Sequence, residues 1–80
     1  MNVTLLSAQQ REQFTVAHIE CKTDAGNLTI LPGHDTALYV LALRSPIILY
    51  PLEGEGTAFE RMVERGMIEI ERDKVLVIIG

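Results

Sequence analysis

LTILPGHDTAL, Leu28 to Leu38, is apolar, breaks at a proline and a glycine, offers His34 and Asp35, and turns apolar again. Pro32 presets φ near about −65° and Gly33 accepts a positive φ, so the pair suits the centre of a type II turn. A proline there also cannot donate to a sheet ladder. The stretch therefore predicts a short strand over Leu28–Leu31, a reversal at one end of a sheet, and a new strand from Thr36. His34 and Asp35 are expected at the loop tip.

Outward from this turn, two-residue alternation dominates. Asn2-Val3-Thr4-Leu5 alternates, and so does Ala17-His18-Ile19-Glu20-Cys21-Lys22. In the second run Ala17, Ile19 and Cys21 are expected on one face, with His18, Glu20 and Lys22 on the other. Asp24-Ala25-Gly26-Asn27 reads as a turn. Thr36–Leu43 reads as a strand ended by Arg44-Ser45-Pro46, and Ile47–Leu52 as one ended by Glu53-Gly54-Glu55-Gly56. Met67–Glu71 alternates cleanly, Arg72-Asp73-Lys74 turns, and Val75–Ile79 runs back. Short strands with turn signals about every 8–12 residues predict an all-β sandwich or barrel. Thr57–Arg65 fits two readings equally. Ala58, Phe59, Met62 and Val63 have helical spacing, but a helix would be short and would set Glu60 against Glu64 and Arg61 against Arg65.

The chain has 80 residues, 48% of them hydrophobic, and a net charge of −4. That length predicts a single domain over 1–80 with a thin core of two layers. The acidic balance and the lack of a Lys/Arg cluster argue against a nucleic-acid partner. Cys21 is the only cysteine, so no internal disulfide forms and a reducing compartment is expected. No signal segment opens the chain, and no apolar run approaches the ~20 residues that a membrane span needs. The expectation is a soluble or peripheral protein on the cytoplasmic side.

Residues that carry chemistry are sparse. His18 and Cys21 lie three apart in a strand and so face opposite sides, and no His-x-x-x-His or Cys-x-x-Cys spacing exists; no metal is expected. Ser7, Ser45 and Cys21 lack a nucleophile context, and Cys21 reads as an inert core residue. Glu53 and Glu55 fall short of a calcium shell. No phosphate loop follows a strand and opens a helix. No cofactor and no catalytic residue is expected. His34 has two readings, a contact with a partner or a hydrogen bond within its own turn.

Three strands are apolar on both faces. Ala37, Tyr39, Leu41 and Leu43 share one face of Thr36–Leu43, while Leu38, Val40 and Ala42 share the other. Ile47–Tyr50 and Val75–Ile79 behave alike. Two layers cover one face of each strand, so an apolar patch is left outside for a partner, a twin copy or a loop to cover.

DAGNLTILPGHDTAL (Asp24–Leu38) resembles the signature of the ATP synthase epsilon subunit. Val3–Thr23 resembles that family's first two strands, and Glu64–Gly80 its closing hairpin, with Gly66 before an alternating strand. The resemblance implies a small antiparallel β-sandwich of about eight to ten short strands, with Ala58–Arg65 as a strand. It implies a non-catalytic subunit of the rotating central stalk, peripheral at the cytoplasmic face of the bacterial inner membrane. Such a subunit binds the gamma subunit and touches the c-subunit ring, coupling rotation to proton or sodium-ion transport. Residues Asn27, Leu31, Pro32, Gly33, His34 and Asp35 would face the c ring, and Leu38, Val40 and Ala42 the gamma subunit. Asn27 stands where the family often carries an acidic residue, and Arg44-Ser45-Pro46 replaces its usual Lys-Pro-Gly turn. The family's two-helix domain would begin near Gly80, so its inhibition of ATP hydrolysis is not expected of these residues. The alternative is a free-standing adaptor or homodimer that kept the sandwich.

Overall fold

A computed structural model describes all 80 residues. Eight strands follow one another: β1 Asn2–Leu6, β2 Arg11–Thr23, β3 Gly26–Ile30, β4 Ala37–Val40, β5 Ser45–Pro51, β6 Phe59–Val63, β7 Gly66–Glu71 and β8 Lys74–Ile79. They form one continuous sheet in the order β4-β7-β8-β1-β2-β5-β6, with β3 also paired to β2. The all-β expectation holds, and the strand count falls at its lower limit.

The 13-residue strand β2 organises the two layers. Its first part, Arg11–Thr15, pairs with β1, while Ile19–Thr23 pairs with β3 and Val16–Glu20 with β5. The register shifts between Val16 and His18, leaving Ala17 as an inserted residue. Such a bulge bends a strand and increases its twist. It also corrects the inward set expected for β2. Val16, not Ala17, is buried alongside Ile19 and Cys21, because the extra residue resets the two-residue period.

Fourteen buried side chains form the core. Val3, Leu5, Ile68, Ile70, Val75 and Val77 come from one layer; Ile19, Cys21, Ile30, Ile47, Leu49 and Val63 come from the other. The shortest dimension, 18 Å, fits two sheets about 10 Å apart with their outer side chains. The two buried polar side chains are satisfied. Thr23 Oγ1 donates to Gly26 O at 2.9 Å and accepts from Ala25 N, and Ser45 Oγ donates to Ala42 O at 2.7 Å.

Three local expectations change. The sandwich is mixed rather than wholly antiparallel, because β1 and β8 pair in parallel with Val3 opposite Val75 and Leu5 opposite Val77. Each already has an antiparallel partner on its other side, so the joined ends of the chain lie in the middle of the layer. The turn after β4 is Leu43-Arg44, and Ser45 and Pro46 open β5. Pro46 is registered with Met62 on β6 and precedes the ladder to β2, which starts at Ile48. Third, the strand implied over Ala58–Arg65 is present but trimmed to Phe59–Val63, antiparallel to β5. Val63 is buried and Phe59 packs on Phe14 with ring centroids 4.9 Å apart.

Candidate functional site

The Leu31–Asp35 loop joins β3 in one layer to β4 in the other. His34 N donates to Leu31 O at 3.2 Å and Gly33 holds φ 81°, as a type II turn requires. Leu31, Pro32, Gly33 and Asp35 are exposed, but His34 is half-buried. Its Nδ1 donates to Asp35 O at 2.7 Å, and its ring meets Tyr39 edge-on at 6.5 Å. A carbonyl only accepts, so Nδ1 carries the proton. The imidazole is thus held by its own loop and by β4. Asn27 is exposed at the other end of β3, beside the Asp24-Ala25 turn. Leu31 lies four positions further along the chain, about 13 Å away, so the two parts of the expected loop set lie at different ends of β3.

The strand registers arrange the outer face of the first layer in rows. Val40 lies opposite Met67, Met67 opposite Ile78, Ile78 beside Leu6, and Leu6 opposite the exposed Arg11 at the far end of the row. The next row is Leu38, Glu69, Leu76 and Thr4; the third, from β7 to β2, is Glu71, Lys74, Asn2 and Thr15. The face therefore grades from apolar to polar along the strands. Leu38 is 60% exposed, Val40 50%, Ile78 41%, and Met67 and Leu6 37% each. Ala42 is half-buried just beyond the strand, with its N–H donating to Lys22 O at 2.9 Å. Met67, Ile78 and Leu6 extend the patch beyond the residues expected from β4. Met67 stood out in the sequence as an apolar residue whose same-parity neighbours, Arg65 and Glu69, are charged, and Ile78 lies in a strand apolar on both faces, but only the register shows that they and Leu6 adjoin Val40.

The second layer has an aromatic outer feature. His18 stacks on Tyr50 at 4.2 Å with 11° between the rings, and Tyr50 OH donates to Glu20 Oε2 at 2.9 Å. That hydrogen bond, helped by desolvation and by the charges of Glu20 and Glu60, raises the Tyr50 hydroxyl above its ordinary pKa. Cys21 points inward, where burial pushes its thiol up to about 11. At the open edge between the layers, Arg61 Nη1 meets Glu12 Oε2 at 2.8 Å, and Arg61 lies over the Phe59 ring. No three His, Cys, Asp or Glu side chains converge in a ligand set. Glu53 and Glu55 lie on an exposed turn. No helix is long and apolar enough to cross a membrane.

No family model and no curated protein sequence matches the chain. Among solved structures, a chain in the cryo-EM structure of the Tetrahymena thermophila mitochondrial ATP synthase, central stalk and c ring, superposes with a TM-score of 0.74 at 20% identity. The match covers 99% of this chain and 62% of that one, so the sequence described spans less than two thirds of its neighbour's length. At this identity the likeness is one of fold: the same two-layered β architecture runs through essentially all of these 80 residues.

Proposed function

We propose that the chain is an epsilon-like, non-catalytic subunit of the central stalk of an F-type rotary ATP synthase. It binds the gamma subunit through the outer face that carries Leu38, Val40 and Ala42. It faces the c-subunit ring through Leu31–Asp35 and Asn27, peripheral to the cytoplasmic face of the bacterial inner membrane. The role is mechanical: a stiff body fixed to gamma helps couple rotation to proton or sodium-ion transport. The observation that carries this reading is the likeness, over 99% of the chain, to a chain from a central-stalk and c-ring assembly. The LPGH turn at the junction of the layers supports it. An apolar outer face suits a subunit that is covered in its assembly.

Co-expression with the gamma subunit of the same genome tests the proposal. A stable one-to-one complex that persists through size exclusion is the expected result. A homodimer that ignores gamma would reject the stalk role in favour of a free-standing adaptor.

A further inference from the structure

Glu69 is the one charged side chain in the middle row of the outer face. Its direct cross-strand neighbours are Leu38 on β4 and Leu76 on β8, and Met67 precedes it at the same parity. It makes no ion pair; the salt bridges of the fold are Arg44–Glu64 and Arg61–Glu12. The nearest cation in register, Lys74, stands directly opposite Glu71 and only diagonal to Glu69. An exposed carboxylate is stable there because water solvates it. Once a partner covers the surrounding apolar side chains, that water is lost, and a carboxylate left without a counter-charge is costly.

We infer that the segment docking on this face carries an apolar stripe and one Lys or Arg that pairs with Glu69. The apolar row of Val40, Met67, Ile78 and Leu6 supplies contact area, and Glu69 sets the register and the partner's charge. A partner with an acidic or wholly apolar stripe would strand the carboxylate, so Glu69 selects against it. This rests on the proposed docking of gamma at the same face.

The test measures binding of the purified chain to gamma for wild type, Glu69→Gln and Glu71→Gln, each at low and at high salt. Glutamine keeps the shape of the side chain, and thermal melts verify that both variants fold. The expected result is a loss of about thirtyfold or more in affinity for Glu69→Gln, because the partner's cation is left buried and unpaired. Glu71→Gln, at the polar rim beside Lys74, changes affinity by less than about threefold. Wild-type binding weakens with salt more than that of Glu69→Gln. Equal or tighter binding by Glu69→Gln overturns the charge pairing while the stalk reading stands. Failure of the wild-type chain to bind gamma overturns both.

Discussion

Gly66 owes its place to crowding rather than to turn geometry. It opens β7 opposite Ile79, and a Cβ added there would overlap the Ile78 carbonyl oxygen. Its own carbonyl also accepts from Leu41 N at 2.9 Å, which ties β4 to β7. Gly66→Ala must push the β7–β8 ladder apart, at an expected cost of about 1–3 kcal/mol; urea unfolding followed by circular dichroism measures it. An unchanged midpoint would mean that the ladder has slack. Cys21 makes a separate prediction. With its thiol pushed up to about 11 by desolvation, it is protonated at mildly alkaline pH and resists a thiol reagent until urea exposes it. Rapid labelling of the native protein would contradict its burial. The inward position of Cys21 was legible from strand alternation, because it follows Ile19 by two residues with no bulge between them. The displacement of Ala17 was not, because nothing in Val16-Ala17-His18 marks an inserted residue; the shift is defined by pairing with Tyr50 and Pro51 on β5.

Strand β6 shows where local sequence runs out. Its residues suit a helix as well as a strand, and the decision comes from partners far along the chain. Phe59 packs on Phe14, and Arg61 reaches Glu12, 49 residues away. Neither contact exists in a peptide of this stretch alone. The strands β1 and β7 needed no such help, since their alternation already named Val3, Leu5, Ile68 and Ile70, all buried. The loop set facing the proposed c ring was legible as turn chemistry at Pro32-Gly33, but its division between the two ends of β3 depends on strand length and pairing. The Arg61–Glu12 contact also makes a pH prediction. The Arg61 hydrogen bond, more than its charge, holds the Glu12 carboxyl below the usual range, against some desolvation. A depressed carboxylate stabilises the fold above its ordinary pKa of about 4.3, and the contribution fades as pH falls through the lowered folded value. Wild type should therefore melt above Glu12→Gln at neutral pH, and the gap should close as pH falls below the ordinary carboxylate range. A gap independent of pH would assign the contact to packing of the Arg61 stem instead.

For the molecule as a whole, the decisive asymmetry is between an interior that is filled and an outer face that is not. Inside, the side chains are interlocked. Ile68 is fully buried at the middle of β7, so Ile68→Ala should cost about 2–5 kcal/mol. Outside, Leu38 and Val40 touch solvent over half or more of their surface, and removing apolar area there takes little from the folded state. The double change Leu38→Thr with Val40→Thr puts a β-branched residue, favoured in strands, at both positions and should alter stability by about 1 kcal/mol or less. The same change should weaken the proposed gamma binding by about tenfold or more, since it removes apolar area that the pair would bury against that partner. Thermal melts and a binding titration on the same preparation separate the two effects. A large fall in melting temperature would make the outer row part of the fold's own packing. Unchanged binding with an intact fold would send the gamma contact to another surface, leaving the apolar row to a second copy of the chain.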